Sequence, residues 1–215
     1  MTAILITVSL VAAYLIGSFP SAYIVGRLRK GVDIRTVGSR NMGAMNTFYR
    51  VGFWYGMLVL ALDIGKGAAA VALAVYLIKL SNPTDFVRLL DCLLAGFTVV
   101  LGHAFPIFLK FKGGKGGATC IGVLVYLMPW GAPIYLALFG LLLLITRFPT
   151  LSYAIAFLCF PFIGWLINHS GALVIFSIAI LIIPGVKYIP RIVEMRQKSG
   201  GWKHLFLRRN LKDRL

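Results

Sequence analysis

Acidic residues are scarce in this chain: six Asp and Glu stand against 22 Lys and Arg in 215 residues, a formal net charge of +16. Charge of either sign is thin as well, at 13% of residues, roughly half the share usual in soluble domains. Set beside 60% hydrophobic residues and a mean hydropathy of +0.89, that poverty excludes an ordinary soluble fold, whose core cannot bury so much apolar surface. In a soluble protein the basic excess would point to nucleic acid. In a lipid-dissolved chain it points to cytoplasmic loops facing anionic headgroups, and no nucleic-acid partner is expected. Cysteine offers neither metal-ligand spacing nor a disulfide framework, because Cys92, Cys120 and Cys159 lie one in each of three apolar stretches. They read as packing residues, and no metal or cofactor is expected. No Lys or Arg precedes Arg27, although the chain is apolar from Ala3. A cleaved signal peptide carries its positive charge first, so residues 1–28 read as a retained first span.

What the chain does have is seven apolar segments, at about 3–26, 53–79, 86–108, 117–129, 131–146, 150–167 and 171–186. A span needs about 20 residues, and the fourth and fifth fall short. Pro129-Trp130-Gly131-Ala132-Pro133 separates those two, so they read either as tilted spans or as a re-entrant hairpin. Charge sets the orientation. With the N-terminus outside, every Lys and Arg except Lys66, Lys79 and Arg88 falls on the cytoplasmic side. The expectation is an all-α, polytopic integral membrane protein of about seven transmembrane helices, N-terminus outside and C-terminus cytoplasmic. One membrane domain covers 1–190. A basic cytoplasmic tail, either solvated or an amphipathic surface helix, covers 191–215.

Two cytoplasmic loops carry the candidate chemistry. In the first, residues 31–46, glycines free the backbone so that N–H groups can converge on an anion. Ser39, Asn41 and Asn46 add neutral donors, beside Gly43, and Arg35, Arg40 and Arg50 add charged ones. Such a loop is also compatible with a plain inter-helix turn. The second, Lys110-Phe111-Lys112-Gly113-Gly114-Lys115-Gly116-Gly117-Ala118-Thr119, sets four glycines around a lysine where the fourth segment begins. A helix N-terminus there favours phosphate. It is not a nucleotide-binding P-loop, because Leu109 and Ala118 stand where Gly and Ser/Thr are required. Two such loops on one face point to a phosphate-bearing ligand.

Three further features bear on that site. His103, just before the lysine loop, reads either as a helix-end residue bonded to backbone or as a ligand contact or proton carrier. Asp63 and Lys66, three apart in the second span, lie on one helical face. Each would cost about 2.5–3.5 kcal/mol alone at mid-membrane, so they read as a structural pair, with a polar cavity as the alternative. Pro20, among Gly17, Ser18 and Ser21, should kink the first span and free carbonyls that need a neighbour. No Ser–His–acid nucleophile arrangement is visible.

In these motifs the sequence resembles the acyl-phosphate:glycerol-3-phosphate acyltransferases of bacterial phospholipid synthesis. The markers run in order across residues 14–154: Gly17-Ser18-Phe19-Pro20; Asp33-Ile34-Arg35; Gly38-Ser39-x-Asn41-x-Gly43-Ala44-x-Asn46; Leu62-Asp63-Ile64-x-Lys66-Gly67; Gly102-His103-x-Phe105-Pro106; Phe111-Lys112-Gly113-Gly114-Lys115-Gly116; and Arg147 with Thr150-Leu151-Ser152. The resemblance implies a seven-helix enzyme of the bacterial inner membrane, acting on acyl-phosphate and glycerol-3-phosphate among membrane lipid, without a cofactor. It implies catalytic roles for Ser39, Lys115, Arg50 and His103. It implies phosphate or substrate contacts from Arg40, Asn41, Gly43, Asn46, Gly113, Gly114, Gly116, Gly117 and Ser152. The chain departs from the pattern at Met45, where the family has Thr, and at Tyr49, where the family arginine is displaced to Arg50. It departs again after the last span: of the family's His-x-x-Asn…Glu segment only a glutamate, Glu194, is found. Two other readings stand beside this one: a paralogue using another phosphate-bearing acceptor, and a non-catalytic anion- or lipid-binding or transport protein.

Overall fold

The computed structural model describes residues 1–199, and among these there are helices and no strand. In chain order the α-helices are α1 (Thr2–Ser18), α2 (Ser21–Lys30), α3 (Ala44–Arg50), α4 (Phe53–Lys79), α5 (Asp85–Ala104), α6 (Gly117–Leu127), α7 (Gly131–Thr146), α8 (Pro149–Ala156), α9 (Cys159–Leu166), α10 (Gly171–Ala179) and α11 (Ile182–Ser199). A 3₁₀ turn, Ile107–Leu109, follows α5. Every expected apolar segment is helical. Among the described residues, five stretches are long and apolar enough to cross a membrane: Thr2–Lys30, Phe53–Lys79, Asp85–Leu109, Pro149–Leu166 and Gly171–Glu194. The fourth and fifth segments form the shorter helices α6 and α7. At 1.5 Å per residue α6 rises only about 17 Å, well under the hydrocarbon thickness of roughly 30 Å.

The first span breaks where Pro20 was expected to break it, between α1 and α2. The last does not end at residue 186: α11 runs on through Pro190 into the region assigned to the tail. The remainder of that tail, 200–215, lies outside the described residues.

α1, α4, α5 and α6 make the packed centre. At the α1–α5 crossing a Cβ on Gly17 would strike the Val99 carbonyl oxygen, and one on Gly102 would strike that of Tyr14. Small residues let these backbones touch, which is how helices associate where lipid removes the usual hydrophobic drive. α7 lies outside this centre and buries only Gly131 and Tyr135. Leu136, Leu141, Leu144 and Ile145 point outward from it, which accounts for part of the apolar excess in the composition. All three cysteines are buried and free, as packing residues should be.

The C-terminal end of α5 organises everything on the site's side of the bundle. A helix end leaves carbonyls without partners. Three successive ones here receive donors from three elements: His103 O from the Gly114 N–H (3.2 Å), Ala104 O from Lys187 Nζ (2.9 Å) and Phe105 O from the Tyr14 hydroxyl (2.7 Å). The second loop, α11 and α1 are thereby fixed around one point.

Candidate active site

Beneath the two loops lies a buried polar cluster. Lys66 Nζ is 2.9 Å from Asp63 Oδ1, so the expected pair forms. Lys66 also donates to the Phe19 carbonyl (3.2 Å), at the break between α1 and α2. The Ser21 hydroxyl donates to the same Asp63 oxygen at 2.5 Å. His103, 3% exposed, brings Nδ1 within 3.3 Å of Thr119 Oγ1 and 3.7 Å of Asp63 Oδ1. This is not a nucleophile triad, because hydroxyl and carboxylate share one ring nitrogen, whereas a triad uses the two nitrogens separately. Of the expected readings of His103, a bond from its ring to backbone is not seen: its carbonyl, not its ring, serves the backbone. The ring lies against Gly114, where a Cβ would strike both its Nε2 and the Met42 carbonyl oxygen, so that Gly114 is wedged between His103 and the first loop.

The first loop is braced from within. Asn46, expected as a phosphate donor, is 2% exposed. Its amide nitrogen donates to the carbonyls of Ile34 (2.8 Å), Val37 (3.0 Å) and Asn41 (3.1 Å), and its oxygen accepts from the Ser39 backbone N–H (3.0 Å). With both amide hydrogens engaged, Asn46 holds the loop's shape and has none to offer a ligand. Arg35 is likewise taken up, pairing with Asp33 through Nε (3.0 Å) and Nη2 (2.7 Å) over the Tyr23 ring. That fork holds the Asp33 carboxyl below its ordinary range and raises Arg35. Gly38 takes a left-handed turn (φ 59°), and a Cβ there would strike Arg50 Nε and Asn46 Oδ1. Arg50 thus lies against the loop at Gly38. A Cβ on Gly43 would crowd the Asn41 amide.

The second loop keeps its polar groups open. Gly113 and Gly114 are pressed against the end of α5, so their lack of a side chain serves close approach. The Gly114 N–H is committed to His103 and cannot also hold phosphate. Gly116 (φ 89°) turns the chain into α6, whose first turn, from Gly117, has no side-chain cap. Its first N–H groups have no partner within the helix, at the place where the sequence led one to expect an anion. Lys115 Nζ stands 3.9 Å from the centre of the Tyr188 ring. Partial burial, with Arg191 nearby, brings its pKa from 10.5 down to about 8. Ser152, expected near the substrate, is instead fully buried. It bonds Thr146 Oγ1 (2.9 Å) and the Phe148 carbonyl (3.0 Å), tying the α7–α8 turn. The residue after it, Tyr153, lays its hydroxyl against Gly117.

α11 supplies what the sequence did not reveal. Tyr188 faces Lys115, Arg191 Nη1 lies 2.9 Å from Glu194 Oε2, and Glu194 Oε1 lies 3.3 Å from Arg40 Nη2. The segment without a recognisable motif closes over both loops. Tyr188, Arg191 and Glu194 recur at helical spacing of three, the one sequence signal that could have grouped them.

The family model described as glycerol-3-phosphate acyltransferase matches residues 7–198. The chain belongs to the glycerol-3-phosphate acyltransferase family. It is 53% identical over 214 residues to glycerol-3-phosphate acyltransferase 2 of Dehalococcoides mccartyi, covering 99% of this chain and 98% of that one. To the glycerol-3-phosphate acyltransferase of Bacillus subtilis it is 47% identical over 148 residues, 69% of this chain and 72% of the other. The crystal structure of PlsY (YgiH), an integral membrane glycerol 3-phosphate acyltransferase in its glycerol 3-phosphate form, superposes with a TM-score of 0.78 at 29% identity, over 91% of this chain and 92% of that one. The family-model match extends to residue 198, within α11, and so takes in the segment where the family's last motif could not be read.

Proposed function

We propose that this acyltransferase moves a fatty acyl group from an acyl phosphate to a hydroxyl of glycerol-3-phosphate, giving lysophosphatidate for phospholipid synthesis. Membership of the family carries acyl transfer to glycerol-3-phosphate. The observation that favours an acyl phosphate as donor is the kind of site assembled here. Lys115, Arg40, Arg50 and the open first turn of α6 surround the loops, a setting for phosphate on both substrates. Among the described residues no Ser or Cys side chain is bonded to a histidine; Ser21 and Ser9 donate instead to the buried carboxylates of Asp63 and Asp91.

The step needs little more than placement. The acceptor hydroxyl oxygen bonds to the acyl carbonyl carbon, and the bond from that carbon to the phosphate oxygen breaks. The electron pair leaves with phosphate, and the hydroxyl proton passes to a phosphate oxygen. Lys115 and the α6 N–H groups stabilise the leaving phosphate, while Arg50 and Ser39 hold the acceptor. His103, with Asp63 and Lys66, fixes the relative position of the loops. The bilayer receives the acyl chain. In this reading the protein lies in a bacterial inner membrane, N-terminus outside and both loops in the cytoplasm, with the five long stretches as crossings and α6 and α7 as a pair that leaves this topology unchanged whether it crosses or re-enters.

The test is product formation by the purified protein in lipid or detergent. Acyl phosphate with glycerol-3-phosphate should release inorganic phosphate and form lysophosphatidate in equal amounts. An acyl thioester serving equally well would overturn the donor assignment. Tyr49, at the family's arginine position, favours a second reading in which the acceptor differs. A panel of phosphate-bearing alcohols separates the two by kcat/KM.

A further inference from the structure

The cations over the site come from three separate elements: Arg40 from the first loop, Lys115 from the second and Arg191 from α11. One carboxylate stands among them. Glu194 Oε1 takes Arg40 at 3.3 Å and its Oε2 takes Arg191 at 2.9 Å, so the carboxylate bridges two guanidinium groups. Two guanidinium groups sharing one small oxyanion is the arrangement that also suits a phosphate, with its tetrahedral oxygens and higher charge. The two arginines differ in their freedom. Arg191 is nearly enclosed, its side chain 12% exposed, whereas Arg40 is 65% exposed. An exposed pair such as Arg40–Glu194 contributes little to stability and is easily exchanged. Arg191 stays where the fold places it, near enough to Lys115 to help depress that lysine's pKa. α11 itself is anchored by Lys187 on the Ala104 carbonyl, so this face cannot drift from the loops.

We propose that Arg191 is a substrate-phosphate-binding residue of this enzyme, and that Glu194 is a built-in counter-ion that holds Arg191 and Arg40 until phosphate displaces it. The carboxylate keeps the cations converged in the empty site and lowers their mutual repulsion. It also competes with the ligand. Entry of a phosphate transfers Arg40 and Arg191 to its oxygens and swings Glu194 outward, toward the solvent that already reaches it.

The inference rests on the proposed phosphate site, and the experiment keeps the two apart. Glu194→Gln, Arg191→Ala and wild type are compared in detergent by two readouts: inorganic-phosphate affinity from thermal stabilisation, and KM for each substrate. Glu194→Gln should bind phosphate several-fold more tightly than wild type and lower the KM of one substrate. Which substrate responds identifies the phosphate that Glu194 displaces. Arg191→Ala should weaken phosphate binding tenfold or more. Glu194→Asp, which keeps the charge and shortens the reach, should fall between wild type and the Gln variant, and it serves if the Gln variant does not fold. Weaker phosphate binding in Glu194→Gln would show a mere buttress and overturn the counter-ion role. Unchanged binding in Arg191→Ala would overturn the contact. A wild-type protein that binds phosphate but makes no lysophosphatidate would sink the proposed reaction while leaving the Glu194 comparison readable.

Discussion

The first and second loops are both glycine-rich and basic, yet their polar groups do different things. In the first, Asn46 and the Ser39 backbone are bound within the loop itself, Arg35 is taken up by Asp33, and Arg40 reaches outward to α11. In the second, backbone glycines are packed on α5, while Lys115 and the start of α6 keep their donors for something else. The lesson is that a glycine-and-asparagine loop can be a shaped wall, with the charge supplied from the opposite side.

The second loop rests on His103, beside the Asp63–Lys66 pair, so breaking that cluster should have the largest effect. Lys66→Met strands a buried carboxylate and should cost about 3–5 kcal/mol, a Tm drop on the order of 10 °C. Pairing it with Asp63→Asn should recover most of the loss, measured by thermal unfolding in detergent. The comparison is sharpened next by Asn46→Ala. A brace should act through stability, leaving several backbone carbonyls with no partner at about 1–3 kcal/mol, and the fraction that remains folded should keep near-normal KM. A large rise in KM with unchanged Tm would instead make Asn46 a ligand contact.

The smallest effect separates the loops by pH. Lys115 titrates near 8 in the empty site, with Tyr188 and Arg191 facing it. Above that value kcat/KM should fall by at most tenfold per pH unit as the charge is lost. Bound phosphate favours the charged form, so the fall in kcat should come at higher pH. The stability sign is opposite. The unfolded lysine, at 10.5, binds more protons than the folded one between about 8 and 10.5. Over that window Lys115 therefore makes the empty protein more stable as pH rises. Lys115→Arg should remove both limbs.

Much of the fold was legible because lipid imposes simple rules. Long apolar runs became helices, Pro20 broke the first span, and a carboxylate three residues from a lysine had to pair. The site was legible in part. Loop glycines mark close approach as readily as phosphate binding, and sequence cannot distinguish the two; Gly114 and Asn46 turned out to serve the fold. Ser152 carried a family marker, yet its hydroxyl ties a turn. What α11 contributes to the first loop was hidden because Arg40 and Glu194 are 154 residues apart; the spacing of three groups Glu194 only with Arg191 and Tyr188 on its own helix.

The proposed reaction depends on Lys115 as a charge that acts on substrate and not on the fold. Lys115→Ala, assayed with acyl phosphate and glycerol-3-phosphate beside a thermal melt, should lose about 10²–10³ in kcat/KM, in the range for removing one transition-state donor, while its Tm stays at or above that of wild type. Retention of full activity, or a loss that merely follows a fall in Tm, would contradict it.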